Sequence, residues 1–463
     1  MLPGTRAEVN RDKLAAMLQT GHHQRNPPGR FRRRALVALL ALSASTLANC
    51  TASAPPPVTM DHIAERYVKL ALRVGQHDAN FVDAYYGDPA WKPAGERTGL
   101  EELARTTATL RSDLRSVPEP AGEEPLVRLR RAYLDKQLAA VQARVAMLMG
   151  EKLSFDDEAS RLYDATPPRH TEADFEPTLK DLERLLPGSG PLIGRYEAFR
   201  AKYVIPVSAL DLVFRAAIDG CRAKTLDHLP LPAGETFTVE YVTGKTWSAY
   251  NWYQGRYTSV IQVNTDLPIT IDRAIDLACH EGYPGHHVYN LLLEKNLVRD
   301  RGWVEFSIYP LFSPQSLIAE GTANFGIEVA FPGEERTTFE KERLYPLARL
   351  DPATAANFAA VQAAVGKLSY AGNEAARRYL NGEIDRAAAV AWLQRYAMMP
   401  ADRAEQRTRF FDEYRSYVIN YNLGQDLVRA YIEKAGGTVG HPDVRWKVFG
   451  DLLSSPRLPS GLR

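Results

Sequence analysis

The chain has 463 residues, 45% of them hydrophobic and 24% charged, which excludes a disordered protein and allows a large core. Eight of the 57 Lys/Arg but only two of the 56 Asp/Glu fall within residues 1–49, so the remainder carries 49 basic against 54 acidic residues, a net of −5. A mildly acidic body gives no electrostatic basis for a nucleic-acid partner, and three cysteines exclude a disulfide scaffold.

The basic run Arg30, Arg32, Arg33 and Arg34 precedes an apolar stretch from Ala35 to Ala48, then Cys50 and the low-complexity Thr51 to Val58. This is the charged, apolar, small-residue plan of an export signal. As a helix the apolar stretch would span ~21 Å, short of the ~30 Å hydrocarbon core, which favours a signal over a transmembrane anchor. Leu47-Ala48-Asn49-Cys50 resembles a bacterial lipobox, which implies a lipid on Cys50, although Asn49 stands where a small residue is usual. Met17 offers a second translation start. The expectation is an exported, periplasmic or cell-envelope protein that touches the membrane only through a lipid at Cys50.

Residues 1–58 are thus read as signal and linker, 59–229 as a helical region, and 230–463 as the region carrying the chemistry. In the helical region, Leu134, Leu138, Val141, Val145 and Leu148 recur at four- and three-residue steps, which lays one stripe along a helix. Ser154-Phe155-Asp156-Asp157 and Thr171-Glu172-Ala173-Asp174 read as capping boxes, with breaks at Pro167-Pro168 and Pro187-Gly188. Between Pro230 and Pro268 the composition turns β-branched and aromatic, predicting strands at Phe237–Val242 and Tyr257–Val263 around a turn region, Trp247–Gly255. Ser313-Pro314 and Asp351-Pro352 each predict a helix start. The fold class is mostly α, with a small antiparallel sheet beside the helix that carries the histidines. Whether Cys221 and Cys279 pair is not readable from spacing.

Three of the ten histidines fall in His280-Glu281-Gly282-Tyr283-Pro284-Gly285-His286-His287. The chemical logic is that of HExxH, in which two imidazoles hold Zn²⁺ and the adjacent carboxylate takes a proton from the water that the metal acidifies. The spacing departs from that motif. In a regular helix His286 would lie about 120° from the face of His280, and His287, back on that face, about 10 Å along the axis. Pro284 removes a helical hydrogen bond and Gly285 relaxes the backbone, so a broken helix is predicted that swings His286 back towards His280. His286 is preferred over His287 as the second ligand, leaving His287 behind the metal or facing the substrate. Glu320, on the helix that Ser313-Pro314 starts, is the third ligand, with Asn324 and Glu328 on the same side to orient the ligands.

The string HEGYPGHH followed by Glu320-Gly321-Thr322-Ala323 resembles the bacterial domain-of-unknown-function family 885, marked by HExxPGHH and related to glutamate-ligand zinc peptidases. Tyr421-Asn422-Leu423-Gly424-Gln425 is similar to that family's late Pro-Gly-Gln segment, with Leu423 in place of the proline. The resemblance implies a thermolysin-like or clam-shaped helical metallopeptidase architecture. In glutamate-ligand zinc peptidases an edge strand pairs with the substrate backbone, a role for which Tyr257–Val263 is placed. Tyr417, Tyr421 and His287 are candidates to stabilise an oxyanion.

The leading expectation is a zinc metallopeptidase acting on peptides or peptide-like substrates, with His280, His286 and Glu320 as ligands, Glu281 as general base, and His287 and Tyr421 assisting. The alternatives are a zinc amidase or esterase on a non-peptide substrate, and a non-catalytic metal- or peptide-binding envelope lipoprotein. Retention of Glu281 argues against the last, because a binding-only site needs no base there.

Overall fold

The computed structural model describes residues 58–119 and 122–463, so the expected export signal, the expected second start at Met17 and the expected lipidation at Cys50 lie outside the described residues. The described residues are mostly helical. Met60–Val74 begins where Thr59 Oγ1 accepts the His62 N–H. Pro125–Leu148 buries Leu134, Leu138, Val141 and Val145 as one stripe, with Leu148 half-buried at its end. One of the two predicted capping boxes closes: Thr171 and Asp174 cap Glu172–Leu185 reciprocally, whereas at the head of Phe155–Tyr163 Ser154 Oγ accepts the Asp157 N–H and donates to the Asp157 carboxylate without the return bond from its own backbone N–H. Pro314–Ala330 starts at its predicted proline, and Pro352–Thr354 is a tight turn leading into Ala355–Gly366. No described helix is long and apolar enough to cross a membrane.

The strands are β1 (Val82–Tyr85), β2 (Thr236–Val242), β3 (Ala249–Gly255), β4 (Thr258–Asn264) and β5 (Ile308–Pro310). β2, β4 and β3 form a sheet in that spatial order. The sheet is mixed rather than antiparallel throughout, because β2 runs parallel to β4 and only β3 opposes it. Trp247–Gly255 is likewise not a turn region: most of it is β3, and the reversal into β4 falls on Arg256 and Tyr257, both at positive φ. β3 buries Asn251 and Tyr253 at alternate positions, and the polar Asn251 on the inward face hides the alternation that would have marked a strand. β1 and β5 make a separate antiparallel ribbon whose register shifts between Val82 and Ala84, leaving Asp83 in a bulge.

Two apolar clusters form the core. One surrounds the histidine segment with Val213, Phe214, Ile275, Leu291, Phe325 and Phe449; the other joins Ile63, Tyr67, Leu134, Phe312, Leu393 and Phe411. Each draws side chains from before and after residue 230, so the helical region and the region carrying the histidines share their cores. The helices Pro314–Ala330 and Ile419–Lys434 cross at Gly321 and Gly424, where a Cβ on Gly321 would lie 2.4 Å from the Gly424 carbonyl carbon. Only hydrogen fits between the two backbones, one residue from Glu320.

Candidate metal centre

The helix Ile271–Leu277 widens over Ala278–Gly282, where the Tyr283 N–H reaches back five residues to the Ala278 carbonyl. It then breaks at a cis Tyr283-Pro284 bond, and a new helix, His286–Leu293, begins on the second histidine. Gly285 N donates to Cys279 O at 3.0 Å, folding the chain back over the turn it has just left. A Cβ on Gly285 would sit 1.8 Å from the His280 carbonyl oxygen, so no other residue fits there. The interruption predicted from the spacing is present, and it brings the His280 and His286 rings to 4.7 Å between centroids, edge to face.

One ligand atom each from His280, His286 and Glu320 lies within 4.8 Å of the others, a grouping able to hold a metal ion. His280 Nε2 is 3.2 Å from Glu320 Oε2, and His286 Nε2 is 3.7 Å from Glu320 Oε1. The tautomer of His280 follows from its other side. Asn324 Nδ2 donates to the Tyr421 carbonyl, which turns Asn324 Oδ1 towards His280 Nδ1 at 2.9 Å. Nδ1 therefore carries the proton and Nε2 offers a lone pair to the centre. Tyr417 Oη donates to Glu320 Oε1 at 2.7 Å, while Oε2 is buried with no hydrogen-bond donor. The His280 Nε2 lone pair and an orphaned carboxylate oxygen, with the His286 ring beside them, are the electrostatic counterpart of a cation. Burial opposes charge on Glu320, yet the imidazoles of His286 and His280 hold it well below the usual carboxylate range. Burial also opposes charge on His286, but Glu320 raises it to about 9.

Glu281 is buried beside this group and lines the same cleft, of about 760 Å³. Burial pushes its carboxyl up, against the pull of His280 and His286. Asn251 on β3 donates to the Glu281 carbonyl at 2.7 Å, tying the sheet to the histidine turn. Sequence reading missed Asp83. The β1 bulge aims it into the cleft, where its Oδ1 is buried without a partner and burial, with Glu320 and Glu281 adding to it against His286, raises it to about 7. A lone Asp so far upstream carries no local signal. Cys279, next to His280, is bonded to Cys221 in the buried core.

Several expected roles are not met. His287 is wholly buried and faces away from the cleft: Nδ1 lies 2.9 Å from Ser259 Oγ and Nε2 3.2 Å from Glu235 Oε2. Burial keeps it neutral, with its pKa lowered despite Glu235. It is neither substrate-facing nor an oxyanion donor. Glu328 lines the cleft but binds Gln425 at 2.7 Å and Arg429, not a ligand. The strand predicted as Tyr257–Val263 is central β4, hydrogen-bonded on both sides, so the edge that borders the cleft is β3, through Ala249, Tyr250 and Asn251. Tyr417 is committed to Glu320, whereas Tyr421 lines the cleft and burial raises its hydroxyl well above the ordinary value, leaving it a proton donor.

No family model matches the chain, and no curated protein matches it. Among solved structures it is similar to a "putative lipoprotein" from Colwellia psychrerythraea, with a TM-score of 0.48 and 14% identity over 87% of this chain and 73% of that one. It is also similar to a "putative lipoprotein of unknown function" from Shewanella oneidensis, with a TM-score of 0.40 and 13% identity over 76% and 72% of the two chains. Neither similarity reaches the level at which a shared function follows.

Proposed function

We propose that this protein is an exported zinc-dependent hydrolase of peptides or peptide-like amides, with His280, His286 and Glu320 as ligands and Glu281 as general base. The observation that carries the reading is the convergence of these three donors, with Glu320 Oε2 left buried and unpartnered among them. A two-His, one-Glu set is a common donor set for catalytic zinc. Zinc held there supplies a Lewis acid that acidifies water and polarises a carbonyl oxygen. Glu281 accepts the proton of the attacking water and passes it to the leaving nitrogen, a task that its raised pKa suits. Tyr421, protonated and lining the cleft, donates to the developing oxyanion.

Two features favour an amide substrate. The β3 edge beside the cleft is available to pair with an extended backbone. Asn251, on that edge, keeps its Oδ1 without a donor, an acceptor suited to an N–H of a bound backbone. Export rests on the signal-like residues before Val58 and on the buried Cys221–Cys279 disulfide, which belongs to an oxidising compartment.

The test is metal analysis of the purified protein followed by profiling against a peptide library. We expect near one zinc per chain and cleavage that is lost in Glu281→Gln while zinc is retained. Protein without zinc, or zinc-loaded protein that leaves every peptide intact, refutes the reading.

A further inference from the structure

The cleft that holds the metal centre is also lined by Arg200, Arg273, Arg403 and Arg407. Arg273 is satisfied by Asp276, at 3.1 Å. Arg200, Arg403 and Arg407 form no side-chain ion pair among the described residues, and Arg407 Nε is buried with no acceptor. The carboxylates that share the cleft are engaged elsewhere: Asp276 with Arg273 and Arg336, Glu328 with Gln425 and Arg429, and Glu281, Glu320 and Asp83 at the metal end. Asp402, next in sequence to Arg403, is exposed and accepts from the Arg403 backbone N–H at 2.8 Å.

The charge placement of Arg403 and Arg407 is unfavourable along their own helix. Arg403 and Arg407 stand four residues apart on the helix Ala401–Tyr414, where like charges repel. Arg403 also lies in the first turn, at the positive end of the helix dipole. Burial, with Arg200 and Arg273 nearby, pushes Arg403 down to about 10, which still leaves it charged at neutral pH. Burial lowers Arg407 as well. An anion entering the cleft would offset the charge of Arg200 and Arg403, which lie near each other, and would meet the partnerless Arg407 along the same wall.

Arg407 is also held in a fixed pose. Its guanidinium lies 4.8 Å from the Phe410 ring centroid, 5.6 Å from that of Phe411 and 5.8 Å from that of Tyr421. Tyr421 gives its carbonyl to Asn324, which in turn holds His280, so Arg407 is linked to the metal centre through two residues. A planar guanidinium fork matches a carboxylate in geometry as well as charge.

We infer that Arg200, Arg403 and Arg407 form a carboxylate-binding lining of this cleft, so that substrates enter it with a negatively charged group held by arginine rather than by the metal centre. The inference rests on the hydrolase reading for the word substrate, but the binding it describes needs no turnover. A C-terminal carboxylate and an acidic side chain share the chemistry, and both are carried by peptides.

The test is calorimetric binding to the full chain, as the metal-free protein and as zinc-loaded Glu281→Gln. The probes are N-acetyl-trialanine, its C-terminal amide, and the amide of N-acetyl-Ala-Glu-Ala. We expect the free acid to bind about tenfold or more tightly than the neutral amide, with or without zinc, and the preference to vanish in Arg403→Gln and in Arg407→Gln. Arg403 is the less buried of the pair, so its variant keeps the test intact if Arg407→Gln does not fold. The Glu-containing amide matching the acid supports a side-chain carboxylate; the acid standing alone supports the C-terminus. Equal binding of acid and neutral amide overturns the subsite. So does a preference seen only in the zinc-loaded protein and absent from the metal-free one, because the ion and not the arginines would then be the partner. Discrimination without cleavage by the wild type leaves the subsite standing and the hydrolase reading fallen; cleavage without discrimination does the reverse.

Discussion

His280 Nδ1 and Asn324 Oδ1 lie 2.9 Å apart, and Asn324 is itself fixed by the carbonyl of Tyr421. The pair decides which imidazole nitrogen is left for a metal. Asn324→Ala should weaken zinc binding by roughly 10–100-fold, the usual effect of removing a partner that orients a ligand. Competition against a chelator measures this, and unchanged affinity with an unchanged fold would show that Asn324 only packs.

The two adjacent histidines should separate cleanly. His286→Ala is expected to abolish stoichiometric zinc. His287→Ala should keep the metal and lose about 1–3 kcal/mol of stability, the cost of stranding buried hydrogen-bonding groups on Ser259 and Glu235. Zinc content and urea midpoints of both variants check this, and zinc loss on changing His287 alone would reverse the assignment.

His287 also sets an acid sensitivity. Its folded pKa is lowered by burial, so the unfolded chain takes up its proton first. Its contribution is intact above the unfolded value of about 6.5 and declines as the pH falls from there towards the lower folded value. Glu235, held low by His287, Tyr283 and Arg222 against its burial, adds a further loss below the ordinary carboxylate range. Because His286 and Asp83, both raised in the folded state, shift wild type and variant alike, the test is the difference: between pH 7.5 and 5.5 the urea midpoint of the wild type should fall relative to that of His287→Gln, which can serve both partners without titrating. An equal drop in the two proteins would count against His287 as the source.

At the helix crossing, Gly424→Ala would place a Cβ 2.7 Å from the Leu317 carbonyl oxygen, and Gly321→Ala would meet Gly424 more closely still. Each change should cost about 1–3 kcal/mol or more by overpacking, and should weaken zinc binding by displacing Glu320. Thermal unfolding with and without zinc measures both effects. A variant as stable as wild type would mean that the helices can separate at little cost.

The Cys221–Cys279 bond closes a loop across a separation of 58 residues, for which chain-entropy reasoning gives about 4 kcal/mol. Cys221→Ala with Cys279→Ala should therefore unfold at clearly lower denaturant, and reductant should do the same to the wild type. Reductant without effect would argue that the bond does not form in the purified protein.

Local order decided much of this molecule in advance. The caps at Ser154 and Thr171, the proline starts at Pro314 and Pro352, and the apolar stripe from Leu134 need only near neighbours to work, so the residues themselves determined where those helices lie. The same holds for the break after His280, because a proline and a glycine cannot continue that helix. What no short stretch of chain could settle depends on groups brought from far away. His286 and His287 differ by one residue and about 100° of helix rotation, and only Glu320 on one side and Glu235 on the other sorted them. Asp83 in its bulge, the choice of β3 as the free edge, the Cys221–Cys279 pairing and the gathering of three unpaired arginines were likewise products of tertiary packing. Local propensity acts over a few residues, whereas a site with charges of both signs exists only once distant segments have been pressed together.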